Sequence, residues 1–146
     1  MSQAYYDANY LFKLQCVENG TAEVRAHAAT VNILYTAANG RAEFASLAFR
    51  KVREGSATPS DFRLAIAQVK ADAATGNLRF IPVTDAILDR VEQVFSTAPA
   101  TTYLRAADAI HLATAAEAGF AEIHSNDKHL LAAAPLFGLV GVNVIP

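Results

Sequence analysis

The amino-acid sequence predicts an α/β protein, a three-layer α/β/α sandwich with a central, mostly parallel sheet of five strands. Short apolar or β-branched segments alternate with helical segments along the whole chain, and this order is typical of parallel sheets covered by helices on both faces. The 146 residues are 53% hydrophobic, which is ample for one core. Residues 1–146 are therefore expected to form a single domain.

Two strands and four helices are predicted in the first half of the chain. Residues 31–36 are apolar and β-branched enough for a buried strand. Ser60 is predicted to cap a helix, which Gly76 would close. The predicted strands span 4–9 and 31–36, and the predicted helices span 11–17, 23–29, 42–54 and 61–75.

The second half repeats the alternation. Thr84 is placed to cap one helix, and Thr101 or Thr102 is expected to start the next, which carries Asp108 and ends near Gly119. Pro135 limits the last helix. The predicted strands span 78–83, 121–124 and 142–145, and the predicted helices span 85–95, 101–119 and 128–134.

Composition excludes several classes of function. The formal net charge is −2, so there is no strong basic footprint for duplex nucleic acid, although a local basic patch or a bridging cation would suffice to bind one. Cys16 is the only cysteine, which rules out cysteine-based metal sites and internal disulfides. No apolar run approaches the length of a membrane span, and residues 1–5 show neither the basic region nor the apolar region of a secretory signal. A soluble, cytoplasmic protein without membrane contact is therefore expected.

Four acidic residues interrupt segments that are otherwise apolar or rich in small residues: Asp7, Glu43, Asp108 and Asp127. Each has a local explanation. Asp7 and Asp127 could cap helices, Glu43 could be a first-turn acid favoured by the helix dipole, and Asp108 could pair with Arg105 three residues earlier. For any one acid taken alone, the sequence does not decide between its local explanation and a shared site.

The predicted topology can bring the four acids together. Ligand sites of open parallel sheets form outside the carboxyl ends of the strands. Asp7 and Asp127 follow predicted strands, while Glu43 and Asp108 lie near the starts of helices beside the same edge. Clustered carboxylates repel one another unless a cation binds them, and Mg²⁺ or Mn²⁺ prefers such oxygen ligands. The sequence therefore predicts a metal site at this edge.

The flanks of the acids resemble the motifs of the PIN-domain family, and in particular its VapC-type toxins. The segment from Leu104 to Ala115 is similar to the family's LRxxDAxHLATA segment, which is quite specific. Ser125-Asn126-Asp127-Lys128 is similar to its Thr-x-Asp-Lys motif. Tyr6-Asp7-Ala8-Asn9 and Ala42-Glu43-Phe44 resemble weaker family motifs. The likeness spans essentially the whole chain in the right order.

The resemblance implies a metal-dependent endoribonuclease that is the toxin of a VapBC-type toxin–antitoxin pair. Asp7, Glu43, Asp108 and Asp127 would hold Mg²⁺ or Mn²⁺, and Asn9, Ser125 and Arg105 would support the acids. Serine at 125 and asparagine at 9 are mild departures from the family pattern. The implied partners are an RNA substrate (tRNA, rRNA or mRNA), a cognate antitoxin and a second copy in a homodimer. The alternatives are a non-catalytic RNA- or protein-binding module of the same fold, or a nuclease for structured DNA.

Other polar residues have simpler interpretations. A structural hydrogen bond is favoured for His111 over metal ligation, and no H-x-x-x-H spacing indicates zinc. The cluster Arg50, Lys51 and Arg53 is interpreted as a solvated helix face rather than an RNA contact. Arg105 could neutralise Asp108 or touch a phosphate. Tyr5, Tyr6 and Tyr10 could stack on a base, although packing in the core or at its rim is favoured.

Overall fold

The computed structural model describes residues 2–146, in which five short strands alternate with seven α-helices and one 3₁₀ helix. The strands are β1 (Gln3–Tyr5), β2 (Ile33–Ala37), β3 (Leu78–Ile81), β4 (Glu122–His124) and β5 (Val140–Val142). The α-helices are α1 (Ala8–Gln15), α2 (Thr21–Ala28), α3 (Gly40–Arg53), α4 (Pro59–Thr75), α5 (Asp85–Thr97), α6 (Ala106–Glu117) and α7 (Lys128–Ala133), and the 3₁₀ helix spans Ala134–Phe137. The predicted α/β class and the number of strands are confirmed.

All strand pairs are parallel, but the sheet is divided into two ladders. One ladder has the order β1-β2-β3, and the other pairs β4 with β5. A single isolated parallel bridge between Tyr6 and His124 joins them, and the Asp7 N–H donates to the His124 carbonyl over 3.1 Å at the same place. The carboxyl ends of β1 and β4 therefore meet at this seam.

Two apolar cores lie on opposite faces of the sheet, because successive residues of a strand point to opposite sides. Tyr5 of β1 packs into the core under α5, α6 and α7, with Leu112, Ile123 and Phe137. Ala4 and Tyr6, its neighbours in the chain, pack into the core under α1 to α4. This arrangement is the predicted three-layer sandwich.

Several predicted element boundaries were wrong, and a cap, a loop or strand pairing sets each observed boundary. Helix α4 begins at Pro59, because Thr58 rather than Ser60 forms a capping box with Asp61. Helix α6 begins at Ala106 instead of Thr101 or Thr102, since the preceding residues form a loop. Strand β5 begins at Val140, two residues before the predicted start, and pairs with β4.

Other predictions of local structure were right. Thr84 caps α5 by accepting the Ile87 N–H. Gly76 ends α4 with a φ of 83°, a left-handed conformation that favours glycine. No helix within residues 2–146 combines the length and apolar character that crossing a bilayer requires.

Candidate active site

Asp7 is the most deeply buried acid of the predicted set. It follows β1 at the seam of the sheet and is 2% exposed. Its Oδ1 accepts the Tyr10 N–H over 2.9 Å, which caps α1, and its Oδ2 accepts the Ser125 hydroxyl over 2.5 Å. Burial raises the pKa of Asp7 from 3.8 to about 6, even though both hydrogen bonds and the nearby His111 lower it.

Glu43 is held by a chain of hydrogen bonds that runs out of the core. The His111 Nε2 lies 2.7 Å from the Glu43 Oε1, and Nδ1 lies 2.8 Å from the Tyr5 hydroxyl. A carboxylate only accepts hydrogen bonds, so Nε2 carries a proton, and in the neutral imidazole the Tyr5 hydroxyl donates to Nδ1. The Tyr5 oxygen in turn accepts the Ala37 N–H at the end of β2. Asn39 also donates to Glu43, over 3.0 Å.

Asp108 and Asp127 both form ion pairs with the Arg105 guanidinium. Arg105 donates from Nε to the Asp108 Oδ2 and from a terminal nitrogen to the Asp127 Oδ2, each over 3.3 Å. The pKa of Asp108 is raised, chiefly by burial. The positive charge of Arg105 acts in the opposite direction, and the negative charge of Asp127 adds to the rise. The Arg105 side chain is 64% exposed, so these ion pairs are screened by solvent.

Asp127 is tied to the second ladder and to the seam. Its Oδ1 accepts the N–H groups of His129 and Leu130, so that it caps α7. Its own N–H donates to the Ser125 hydroxyl oxygen over 2.9 Å. Ser125 thus connects Asp127 to Asp7 and fixes their relative positions.

Three of the four acids line one open cleft of about 290 Å³: Asp7, Glu43 and Asp108. The cleft lies beyond the carboxyl ends of β1 and β2, where sites of parallel sheets form. Arg105 and His111 also line it, and so does Asn9, which among residues 2–146 makes no side-chain hydrogen bond to an acid. Asp127 stands outside the lining and is connected to it through Arg105 and Ser125.

The chemistry of the side chains in the cleft suits a hard divalent cation. The acidic side chains that line the cleft offer carboxylate oxygens, the ligands that hard divalent cations prefer. Repulsion from Asp108 contributes to the raised pKa of Asp7, and a bound cation would relieve this repulsion. Within residues 2–146, however, no three His, Cys, Asp or Glu side chains stand close enough to hold an ion together. Glu43 is held by His111 and Asn39, and Asp127 by the start of α7.

The simple interpretations of the other polar residues agree with the structure. His111 is 1% exposed and hydrogen-bonds to Glu43 and Tyr5, while Tyr5, Tyr6 and Tyr10 are buried in the cores. In the basic cluster, Arg50 pairs with Glu54 and Lys51 with Glu18, each over 3.6 Å. Sequence reasoning missed Tyr5 and Asn39 as supports of Glu43, because only the tertiary fold brings them there.

The fold is similar to that of several solved structures. FitAcB from Neisseria gonorrhoeae superposes with a TM-score of 0.76 at 14% identity, over 97% of each chain. VapC20 from Mycobacterium tuberculosis, described as a toxin that cleaves the sarcin-ricin loop, superposes with a TM-score of 0.67 at 17% identity, over 89% of this chain and 94% of that one. FitAB bound to a DNA fragment superposes with a TM-score of 0.70 at 15% identity, over 98% and 96%.

Sequence comparison gives the family. No curated protein matches the chain in sequence. The PIN-domain family model, in contrast, matches residues 4–135, which is most of the chain and includes all four acids. The chain therefore belongs to the PIN-domain family.

Proposed function

We propose that the protein is a metal-dependent endoribonuclease and the toxin of a VapBC-type toxin–antitoxin pair. One observation carries this proposal: in a PIN domain, Asp7, Glu43 and Asp108 line a single open cleft at the carboxyl ends of parallel strands. Each comes from a different element, so only the fold explains their meeting. A cleft lined by carboxylates repels a polyanion unless cations intervene, which favours a cation-assisted reaction.

The comparisons support this function without extending it to a substrate. PIN domains are generally nucleases. One structural relative is described as a toxin that cleaves the sarcin-ricin loop, and another as an assembly bound to DNA. An RNA substrate and an antitoxin partner for this chain belong to the proposal.

The residues that would hold Mg²⁺ or Mn²⁺ are Asp7, Glu43 and Asp108, whose carboxylates would have to move closer together than they stand in the structure. Asp127 would join them if Arg105 turned away. The ion would supply an activated water and neutralise charge on the phosphoryl oxygens. Ser125 positions Asp7 by its hydroxyl, and His111 positions Glu43 through Nε2. Arg105 is exposed enough to turn from Asp108 and Asp127 towards a substrate phosphate.

The proposal includes the partners. A small antitoxin would cover the acidic cleft in the cytoplasm, and an inserted arginine or lysine would take the place of the cation. A homodimer is the proposed assembly. RNA in the form of tRNA, rRNA or mRNA is the proposed substrate class.

Cleavage of a labelled tRNA and rRNA panel tests the proposal. The purified protein is assayed with Mg²⁺ or Mn²⁺ and then with EDTA, beside Asp7→Asn and Asp108→Asn. The matched control is Asp89→Asn, because Asp89 is an exposed aspartate on α5 outside the cleft. We expect cuts at defined sites that disappear with EDTA and in both cleft variants but persist in the control. Cleavage retained by both cleft variants would refute the assignment.

A structured DNA panel belongs in the same experiment. Cuts restricted to DNA would replace RNA as the substrate. Binding of RNA without turnover, by folded protein supplied with either metal, would show a binding module instead of an enzyme. Loss of growth inhibition in both cleft variants, when they are expressed at wild-type levels, would connect the nuclease to the toxin role.

A further inference from the structure

Tyr103 exposes its ring to solvent, unlike the tyrosines near the N-terminus. Tyr5, Tyr6 and Tyr10 are buried, whereas Tyr103 is 60% exposed, in the loop that leads into α6. An exposed aromatic ring on a loop loses apolar contact with water only when a partner covers it. This ring is therefore a candidate surface for a flat apolar partner.

Tyr103 has a second aromatic ring beside it. Its ring centroid lies 4.1 Å from that of His129, with 40° between the planes. His129 is half-buried near the start of α7, and its N–H donates to Asp127. The pair is thus anchored to a fixed helix terminus, which reduces the entropy lost when a further ring stacks on it.

The two rings stand in a groove of about 440 Å³ that runs beside the 3₁₀ helix. Its other lining residues are small or apolar, apart from two threonine hydroxyls: Pro99, Thr101, Thr102, Ala132, Ala133 and Leu136. Among these lining residues there is no acid and no lysine or arginine. A flat ring with polar edges suits such a surface better than a phosphate does.

Two short chain connections join residues of the groove to residues at or beside the acidic cleft. Tyr103 is two residues before Arg105, which lines the cleft, and His129 is two residues after Asp127, which Arg105 contacts. The exposed Lys128 lies on the second connection. A strand whose phosphate reaches Arg105 would carry its neighbouring nucleotide to Tyr103, since successive nucleotides of an extended strand are separated by about the span of two residues.

We propose that Tyr103 and His129 form a stacking subsite for one unpaired nucleobase next to the phosphate that is cut. The inference rests on the proposed nuclease function and assigns to Tyr103 and His129 the binding of one unpaired base of the substrate. The ring of Tyr103 stacks on the base, and the hydroxyls of Thr101 and Thr102 lie within the groove that receives its polar edge. A duplex does not bind in this way, because its bases are already stacked on one another.

The chain contains no tryptophan, which makes a specific fluorescence test possible. Tyr103→Trp introduces a single indole at the subsite, and stacking of a base quenches indole emission. The variant is combined with Asp7→Asn to suppress cleavage and is titrated in Mg²⁺ with a single-stranded RNA of about 12 nucleotides. The same RNA annealed to its complement, and the matching single-stranded DNA, are the comparison ligands.

Leu64→Trp is the matched control. Leu64 is 67% exposed on α4, which contributes no residue to the acidic cleft or to the groove. We expect saturable quenching of the indole at position 103 by single-stranded RNA, weak quenching by the duplex, and none at position 64. The DNA arm distinguishes a subsite specific for RNA from one that accepts any unpaired base.

A second pair of variants removes dependence on the probe. Binding of labelled RNA should weaken about 10-fold in Tyr103→Ala and remain near wild type in Tyr103→Phe, because the phenyl ring keeps the stacking face. Equal binding by wild type and Tyr103→Ala, or equal quenching at positions 103 and 64, would overturn the proposal. Self-association through Tyr103 would overturn the proposal too, because a second copy of the chain would then cover this ring. Its signs would be indole emission that changes with protein concentration in the absence of RNA, and a smaller assembly in solution for Tyr103→Ala than for wild type.

The outcomes separate the subsite from the enzyme. Quenching at position 103 without cleavage of any substrate by the wild type would support the subsite and refute the nuclease. Cleavage of RNA with no loss of binding or rate in Tyr103→Ala would support the nuclease and refute the subsite.

Discussion

Replacing Asp7 with asparagine should stabilise the folded protein at neutral pH while it abolishes the proposed reaction. The Asp7 carboxyl is buried at the seam of the sheet, and its pKa is raised from 3.8 to about 6, chiefly by burial. The folded state therefore binds this proton more tightly than the unfolded state does. Stability linked to Asp7 is present at low pH and is lost as the pH rises towards 6.

The magnitude follows from the two pKa values. Each pH unit corresponds to about 1.4 kcal/mol, so a rise from 3.8 to about 6 costs the folded protein about 3 kcal/mol once Asp7 is ionised. Asparagine never ionises, and its amide oxygen can still accept the Tyr10 N–H. The Ser125 hydroxyl loses its carboxylate acceptor, which costs about 1 kcal/mol. The net gain above pH 6 is about 2 kcal/mol, or roughly 4–8 °C in Tm for a chain of this size.

Thermal unfolding in EDTA, followed by circular dichroism from about pH 4 to pH 8, measures this effect. The difference in Tm between Asp7→Asn and wild type should widen with increasing pH and level off above the pKa of Asp7. Asp89→Asn, which also removes one carboxylate but at an exposed position on α5, is the control. A constant difference across the pH range, or an Asp7→Asn variant less stable than wild type at neutral pH, would refute the reasoning.

Three further substitutions test the supports of the fold and the cleft. Tyr5→Phe should cost about 2 kcal/mol and lower the cleavage rate, because the Ala37 N–H and the His111 Nδ1 lose their buried partner; urea unfolding and initial rates measure both effects. Thr58→Ala should cost about 1 kcal/mol in urea unfolding and leave cleavage unchanged, since it removes only the cap of α4. Gly20→Ala should lower Tm by an amount equivalent to about 1–3 kcal/mol, because its φ is 90°; an unchanged Tm would contradict the strain argument.

The order of the elements was predictable because it depends on local patterns. Apolar strands and amphipathic helices repeat at regular intervals, and Thr84 and Gly76 carry strong capping preferences. Boundaries were less predictable where two capping residues compete. Thr58 and Ser60 are both good caps, and the reciprocal bond with Asp61 selects the former.

The candidate site was predictable only in part. The acids stand out locally because they interrupt apolar segments. Asp7 and Asp127 could therefore be placed after strands, and Glu43 and Asp108 near the starts of helices. Their partners could not, since the Glu43–His111 and Asp7–Ser125 bonds join residues 68 and 118 positions apart. The exposure of Tyr103 also depends on a loop that the sequence suggested was helical.

The division of the sheet into two ladders has a consequence for how such a protein can lose its activity. Within residues 2–146, the Tyr6–His124 bridge is the single β-bridge between the ladders, and the Asp7–Ser125 hydrogen bond lies immediately beyond it. In the proposed enzyme, the Asp7 side chain would therefore take part in the reaction and also hold the two ladders together. An inactive descendant of this protein would remain folded most readily with a small polar residue at position 7. Alanine would remove the hydrogen bonds to the Tyr10 N–H and the Ser125 hydroxyl and so weaken the contact between the two ladders. Asparagine at this position should therefore mark copies that have abandoned catalysis but kept the architecture.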